Sequence, residues 1–391
     1  MKKRKILFII PTLCQGGLEH SLITALKLLD KSNYQITLLV MQQVLDLLPL
    51  VPTEVEVLID KESPHYFRKP KAIWLNSVSK ISGRIGKQST QEKYSEQLKR
   101  YIHQQRAIHP AKDIVGKRDF DVVVSYAVGM CTETALYVKV KKRIVFFHSS
   151  LDVHHDLMTQ LFPKFDTIVA VNDGVREMLC NSYTGISDKT FVIYNYVDAI
   201  KIIDKSKESI NLEIHNSDYI IATCGRISKE KGFDLAVEAA DYLKNQGIKF
   251  HWSFIGDGAD RNKIEQTINE KGLNQYIEIT GYKDNPYPYM AAADIYVQPS
   301  YEEAQPLVLL EAMVLGKPIV STKTVGGNTI LKGGEKGILT DFSGQAIAKG
   351  IMTLINNPDV YHSFENLYTF EDNKKEKQIY IDKLNQLLSI G

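Results

Sequence analysis

Short apolar runs alternate with longer amphipathic segments along most of the chain. In the first half, runs rich in β-branched and aromatic residues predict buried strands at 5–10, 34–40, 55–59, 121–126, 143–148, 167–171 and 190–195. Residues 18–30, between the first two runs, place apolar side chains at helical spacing. Strands that alternate with helices in this way predict a parallel α/β sheet.

The same alternation starts again in the second half of the chain. Predicted strands lie at 219–226, 250–256, 277–281, 293–300 and 318–322. Two successive sets predict two doubly wound, Rossmann-like domains that face each other across a cleft. We place the first domain at 1–197 and the second at 198–372, with the boundary in the irregular polar stretch 197–217. Residues 373–391 predict an amphipathic helix that packs back on the first domain.

Ligands of such domains bind beyond the carboxyl ends of the strands, so the loops that follow the predicted strands contain the candidate site residues. Gly16 and Gly17 open a helix after the first strand, where they either border an anion or form a tight turn. His148 ends another strand and is either a core residue or a group facing the cleft. Arg226 and Lys231 lie in the loop after 219–226, which is either a phosphate-binding loop or an exposed surface loop.

Residues 307–315 form a predicted helix with apolar residues on all sides, which indicates burial. Glu311 lies within it, and a buried carboxylate requires a partner, either a basic residue or the hydroxyls of a ligand. Glu303 lies eight residues earlier, roughly 10 Å away at helical rise. Two acids around a potential anion site fit an elongated ligand such as a nucleotide sugar. The non-proline backbone amides between them include those of Gln305, Leu307 and Val308.

Four stretches then indicate a family: GRISKEKG, FIGDG, ITGY and DIYVQPSYEEAQPLVLLEAMVLGKPIVST. They resemble the family 4 retaining glycosyltransferases of the GT-B fold, in which two glutamates separated by seven residues correspond to Glu303 and Glu311. The resemblance is specific in the second domain and looser in the first. It implies a UDP- or GDP-linked sugar donor, a saccharide or lipid-linked acceptor, and a role in bacterial cell-surface polysaccharide synthesis. Such enzymes usually act without a metal.

The resemblance also implies roles for residues of the second domain. Arg226 and Lys231 would hold the donor diphosphate and stabilise the departing nucleoside diphosphate. Glu311 would bind the ribose hydroxyls, and Glu303 would lie at the donor sugar. The loop around Tyr282 would flank the nucleobase. The implied reaction replaces the leaving group on the same face of the sugar, with retention of configuration.

In the first domain, the resemblance implies that Gly16 and Gly17 border the diphosphate and the acceptor, and that His148 lies close to the donor sugar. The sequence departs from the family at 303–306, where Glu-Ala-Gln-Pro replaces the frequent Glu-Gly-Phe-Gly. Pro306 has no amide hydrogen, so one backbone contact to the donor is lost, and we expect an effect on the choice of donor sugar.

The charge of the chain is distributed unevenly. The 391 residues carry a formal charge of only +2, yet 61–118 contains fourteen Lys and Arg against four Asp and Glu, a net charge of +10. Apolar and aromatic residues lie between these cations. This pattern predicts attraction to an anionic membrane surface. A solvated helical face and nucleic-acid binding are the alternatives, and no nucleic-acid-binding signature is present.

Cysteine and histidine spacing predicts no metal site. The four cysteines are far apart and indicate free thiols of a reducing compartment, so we expect a cytoplasmic protein, peripheral to the inner face of the membrane. His154 and His155 follow His148 without the spacing of metal ligands. No apolar run is long enough to span a membrane.

Two other functions share the predicted cleft. One is a nucleotide-sugar epimerase or hydrolase of the GT-B fold, and the other is a non-catalytic subunit that binds nucleotide sugars. The pair Glu303 and Glu311, together with the basic segment, favours transfer to an acceptor over the first alternative. Intact Glu303, Arg226, Lys231 and His148 argue against the second.

Overall fold

The computed structural model describes residues 2–61, 70–84, 88–150, 155–210 and 217–390, which contain two parallel sheets. Within these ranges the first sheet has seven strands in the order β3-β2-β1-β4-β5-β6-β7. They are β1 (Arg4–Ile10), β2 (Tyr34–Val40), β3 (Glu56–Ile59), β4 (Val122–Ser125), β5 (Lys142–Phe147), β6 (Thr167–Ala170) and β7 (Thr190–Val192). The described part of the second sheet has six strands in the order β10-β9-β8-β11-β12-β13. They are β8 (Tyr219–Cys224), β9 (Phe250–Ile255), β10 (Ile277–Gly281), β11 (Ile295–Gln298), β12 (Ile319–Thr322) and β13 (Ile338–Thr340).

Helices connect the strands in both halves of the chain. In the first half they are α1 (Gly17–Leu28), α2 (Pro70–Arg84), α3 (Gln88–His109), α4 (Met130–Tyr137), α5 (His155–Leu161) and α6 (Asp173–Ser182). From the domain boundary onwards they are α7 (Ala199–Ser206), α8 (Phe233–Asn245), α9 (Arg261–Glu270), α10 (Tyr287–Ala292), α11 (Leu307–Val314), α12 (Val325–Ile330), α13 (Gly344–Asn356), α14 (Pro358–Ser363) and α15 (Phe370–Leu388).

Strand β1 shows why the strands are almost continuously apolar. Ile6, Phe8 and Ile10 enter the core on one face of the first sheet, whereas Leu7 and Ile9 enter the core on the other face. All five side chains are almost fully buried. A parallel sheet covered on both faces needs apolar side chains at every position, so the runs in the sequence do not alternate.

The last helix, α15, packs on the first domain. Tyr380, Leu384 and Leu387 belong to the same buried cluster as Ile6 of β1. The helix begins at Phe370, earlier than the predicted 373, because Thr369 and Asp372 form a capping box around its first turn.

The chain crosses between the domains twice, and the two crossings are hydrogen-bonded to each other. Asn373 at the second crossing donates to the carbonyl of Val197 at the first (2.8 Å) and accepts from the hydroxyl of Tyr196 (2.9 Å). The predicted irregular stretch 197–217 is partly helical, because Asp198 caps α7 and Ile202 packs in a buried cluster with Val314 of α11. Residues 211–216 lie outside the described residues.

The basic segment contains the two helices α2 and α3, which pack against each other. Trp74 and Tyr94 meet edge to face, with ring centroids 5.8 Å apart. Ala72 and Leu75 face inward, and other apolar side chains of α2 remain exposed. Residues 62–69 and 85–87 of this segment lie outside the described residues.

Candidate active site

Each sheet has one point at which the strand order reverses, and such points form crevices where ligands bind in open α/β sheets. In the first sheet it lies between β1 and β4, and in the second between β8 and β11. The glycine loop follows β1, the loop with Arg226 and Lys231 follows β8, and the loop with Glu303 follows β11. The topology therefore places most of the predicted site residues at these two crevices.

Gly232 fixes the loop after β8 against the loop after β11. It has φ of +65°, and a Cβ atom at this position would lie only 2.1 Å from the carbonyl oxygen of Pro299. Only glycine tolerates both the conformation and the approach. The close approach brings Lys231 to Glu303, with Nζ 2.7 Å from Oε1.

The carboxylate of Glu303 has two further hydrogen-bond donors on its own domain. Ser300 Oγ and Gln298 Nε2 lie 2.9 Å and 3.1 Å from Oε1. Gln298 and Ser300 are themselves buried and bonded to each other at 2.7 Å. This network holds the carboxylate of Glu303 in one place. The sequence analysis did not predict these roles of Gln298 and Ser300.

Arg226 remains open to a ligand. Its Nη2 lies 3.3 Å from Glu230 Oε1, and its side chain is 65% exposed. Its charge also acts on the first domain. Burial raises the pKa of the Cys14 thiol, and the positive charge of Arg226 partly opposes this rise. Arg226 thus lies near the glycine loop of the first domain, whereas Lys231 is directed towards Glu303.

Glu311 has a tyrosine partner. The hydroxyl of Tyr287 donates to Glu311 Oε1 at 3.1 Å. Burial raises the pKa of Glu311 to about 7, and the hydrogen bond from Tyr287 partly opposes this rise. Among the described residues, no Lys or Arg lies within ion-pair distance of this carboxylate. The sequence analysis predicted either a basic residue or a ligand as the partner of Glu311. No pattern in the sequence indicated Tyr287.

Tyr282 lies away from the two cations. It follows β10, the edge strand that β9 separates from β8. Burial and a hydrogen bond to Asp284 raise the pKa of Tyr282 to about 12, and Asp46 of the first domain adds to the rise. Its side chain therefore lies at the margin of the cleft, where the first domain is also close.

The glycine loop is organised around a buried carboxylate that the sequence analysis did not single out. Glu19 in the first turn of α1 accepts from Thr12 Oγ1 at 2.8 Å and from Cys14 Sγ at 3.1 Å. A Cβ atom on Gly16 would lie 2.4 Å from Glu19 Oε2, whereas one on Gly17 would lie 4.0 Å from Leu307 of the second domain. A side chain at Gly16 would therefore displace the carboxylate of Glu19, and Gly17 faces α11.

His148 follows β5 and lies on a stack of aromatic rings. Its ring centroid is 4.9 Å from that of Tyr126 and 5.8 Å from that of Phe146. Nε2 is buried, and no described residue hydrogen-bonds it. Burial lowers the pKa of His148 to about 3, so the imidazole is neutral at physiological pH. It has a free polar atom that a ligand hydroxyl could satisfy.

The residues between the two glutamates contact the first domain. Gln305 Oε1 accepts from the backbone N–H of Asn195 at 2.8 Å, and the carbonyl of Ala304 accepts from the side chain of Asn172. Leu307 and Val308 form the first turn of α11, whose amides have no partner within the helix. In the described ranges, His, Cys, Asp and Glu side chains form no group of three or more that could hold a metal ion.

Residues 204–367 match the family model described as "Glycosyl transferases group 1". This span is less than half of the chain, and it contains Arg226, Lys231, Glu303 and Glu311.

Known relatives match about half of the chain. The chain is 27% identical over 197 residues to the lipopolysaccharide core biosynthesis glycosyltransferase LpsE of Rhizobium meliloti, over 50% of this chain and 55% of that protein. It is 26% identical over 216 residues to the N-acetylgalactosamine-N,N'-diacetylbacillosaminyl-diphospho-undecaprenol 4-alpha-N-acetylgalactosaminyltransferase of Campylobacter jejuni, over 55% and 57% of the two chains. The chain thus spans about half the length of these relatives.

A solved structure matches almost the whole chain. Anabaena HepE in complex with UDP-glucose aligns with a TM-score of 0.69 at 18% identity, over 98% of both chains. The predicted fold class, GT-B with two Rossmann-like domains, is thereby confirmed.

Proposed function

We propose that this chain is a glycosyltransferase that moves a sugar from a nucleotide-sugar donor to a saccharide or lipid-linked saccharide acceptor. The observation that carries the proposal is the ion pair of Lys231 with Glu303, beside the open Arg226, at the strand-order reversal of the second sheet. The family match over 204–367 and the named relatives support it. Because those relatives include a lipopolysaccharide core enzyme, we propose a role in bacterial cell-surface polysaccharide synthesis.

In this proposal the charge of each site residue determines the part of the donor that it binds. Breaking the anomeric bond leaves negative charge on the diphosphate, which Arg226 and Lys231 would stabilise without a metal. Glu311 would accept hydrogen bonds from the ribose hydroxyls, and Tyr282 would flank the base. The neutral His148 would bond a hydroxyl of the donor sugar through Nε2, and the amides of Gln305, Leu307 and Val308 would face the phosphates.

We further propose the retaining, same-face course of family 4. Glu303 is paired with Lys231, and three donors already share its Oε1. A carboxylate bound in this way is a weak nucleophile, which argues against a covalent intermediate of the kind that retaining glycosidases form. In this proposal Glu303 orients the donor sugar through its remaining oxygen.

A donor screen tests the function directly. We expect a UDP- or GDP-sugar to raise the Tm of the chain more than the matching ADP-sugar does, because a ligand bound only by the folded state stabilises it. UDP-glucose is the first probe, since it is bound by the structurally similar HepE. Turnover of the stabilising donor is then followed by nuclear magnetic resonance, which shows the anomeric configuration of the product.

Each competing function gives a different result in this screen. Release of the free sugar or of an epimer, unchanged by any acceptor, would favour the hydrolase or epimerase. Stabilisation without turnover, with every acceptor tried, would favour a non-catalytic subunit. The absence of stabilisation by any nucleotide sugar would contradict the proposed donor class.

We also propose that the enzyme works at the cytoplasmic face of an anionic membrane, through α2. Three large apolar side chains on this helix remain exposed: Ile73 (53%), Trp74 (55%) and Ile81 (57%). At helical spacing the three lie within about 100° of one another, and Lys80 lies about 20° beyond Ile73 on the same side of the helix. Each cation near an anionic surface contributes about 1 kcal/mol to binding. Among the described residues, every helix is too short or too polar to cross a bilayer.

Vesicle flotation tests this surface. The protein is expected to float with phosphatidylcholine vesicles that contain phosphatidylglycerol and to stay behind with phosphatidylcholine alone. Trp74→Ser with Ile81→Ser should weaken the binding about tenfold or more, because their apolar surface no longer enters the interface. Ile379→Ser removes an exposed apolar side chain outside α2 and is the control. Equal flotation with both vesicle types would contradict the proposal.

A further inference from the structure

The loop that carries Glu303 is held from both domains. From its own domain, the amide of Gly326 donates to the carbonyl of Glu303 at 2.8 Å. From the first domain, Asn172 donates to the carbonyl of Ala304, and the amide of Asn195 donates to Gln305 at 2.8 Å. The loop is therefore a part of the domain interface as well as a part of the donor site.

Burial shows that these contacts are not incidental surface bonds. Asn172 is fully buried, and Ala304 packs into a core cluster of the first domain although it belongs to the second. Gln305 is buried as well, so its side-chain oxygen satisfies an amide that would otherwise lack a partner. Separation of the two domains would have to break both hydrogen bonds and expose Ala304.

Asn172 serves two elements at once. Its Oδ1 accepts from the amide of Val175 and caps α6, while its Nδ2 donates to the carbonyl of Ala304. The helix end on the first domain and the loop after β11 on the second are thus tied to one side chain.

We propose that Asn172 and Gln305 are positioning residues that couple the spacing of the two domains to the placement of Glu303. When the domains are together, both bonds fix the backbone on the carboxyl side of Glu303, and the donor sugar meets a preformed site. When the domains separate, the loop keeps only the contacts within its own domain. The effect of this coupling on catalysis rests on the proposed function. The dependence of the Asn195–Gln305 bond on the Asn172–Ala304 bond does not.

Hydrogen exchange in the ligand-free protein tests the coupling without any donor. Asp at position 172 keeps the acceptor that caps α6 but has no N–H for the carbonyl of Ala304. If one loop carries both bonds, Asn172→Asp should speed exchange of the Asn195 amide about tenfold, although Asn195 and its acceptor Gln305 are unchanged. Ser343→Ala removes the cap of α13, away from the interface, and should leave Asn195 exchange at the wild-type rate.

The Gly326 amide separates loss of coupling from loss of folding. It donates to Glu303 within the second domain, so its exchange should rise less than that of Asn195. Wild-type exchange at Asn195 in Asn172→Asp would overturn the inference. An equal rise at both amides and across the second sheet would also overturn it, because the change would then be general destabilisation.

UDP as a probe connects the coupling to the proposed function. UDP should slow exchange at Asn195 in the wild type and slow it less in Asn172→Asp. With a turned-over donor, the variant should lose kcat with little change in KM, since Asn172 contacts none of Arg226, Lys231 and Glu311, which are proposed to bind the nucleotide. If neither UDP nor GDP changes exchange in the wild type, the proposed donor class fails, and the ligand-free comparison still decides the coupling.

Discussion

Replacing Lys231 with alanine is expected to lower kcat by about 10²–10³-fold, the usual cost of removing one preorganised group that stabilises developing negative charge. The same change leaves the buried Glu303 without its cation. Because Ser300 and Gln298 still donate to that carboxylate, the free energy of unfolding should fall by about 3 kcal/mol, at the low end for broken buried pairs. Release of nucleoside diphosphate and urea unfolding measure the two effects.

Two further variants distinguish the loss of activity from the loss of stability. Combining Lys231→Met with Glu303→Gln removes both charges and should restore most of the stability, but not the activity. Lys229→Ala removes an exposed lysine of the same loop and should change neither. If Lys231→Ala keeps the wild-type kcat, the role assigned to Lys231 in stabilising the leaving diphosphate is wrong.

The second large effect concerns Glu311 and the pH dependence of stability. The folded state raises the pKa of this carboxyl to about 7 from an ordinary value of 4.5. Between these values the folded chain holds a proton that the unfolded chain releases, so the contribution of Glu311 to stability falls as pH rises. The loss from about pH 5 to pH 8 should be about 3 kcal/mol.

Glu311→Gln should remove this loss. At about pH 8 the variant is expected to be about 2–3 kcal/mol more stable than the wild type, whereas at about pH 5 the two should be nearly equal. Urea unfolding at several pH values measures the difference, and Glu302→Gln, at an exposed position, is the control. Tyr287→Phe removes the donor that opposes the rise in pKa, so it should extend the loss of stability to higher pH. A wild-type pH slope in Glu311→Gln would contradict this account.

The gain in stability should be accompanied by a loss of donor binding. A neutral amide accepts hydrogen bonds from ribose hydroxyls less strongly than an ionised carboxylate does. In the proposed function, the chain retains for ribose binding an acid whose ionisation destabilises the free protein near neutral pH. Buried carboxylates of this kind are typical of functional sites.

The sequence predicted the parts of the fold that depend on local pattern. Continuous apolar runs such as Ile6–Ile10 need both faces of a sheet, and they identified most of the strands. The three-residue strand β13 escaped because Ile338–Thr340 is too short to form a run. Helix α7 was not predicted because its eight residues lie in a polar stretch and are held by packing on α11, which no local pattern reveals.

The site shows the same division. Glu303, Arg226 and Lys231 were predicted because they lie in strand-end loops, and the topology brings those loops together. Tyr287, Gln298 and Glu19 were not predicted. Tyr287 contacts a residue of another helix, whereas Gln298 and Glu19 contact residues of a neighbouring loop whose backbone conformation the sequence does not reveal. Gln305 was expected to offer its amide to a donor. The structure shows its side chain bound to the first domain, and the role of the amide stays a prediction.

The packing of α15 on the first domain has a consequence for synthesis on the ribosome. Residues such as Leu384 and Leu387 complete a core whose other members, including Ile6 and Leu22, are made at the start of translation. A nascent first domain therefore carries an uncovered apolar face throughout the synthesis of the second domain. Domains generally fold as units in order of synthesis. Here the first domain emerges first, but its core is complete only after α15, the last helix, has been synthesised.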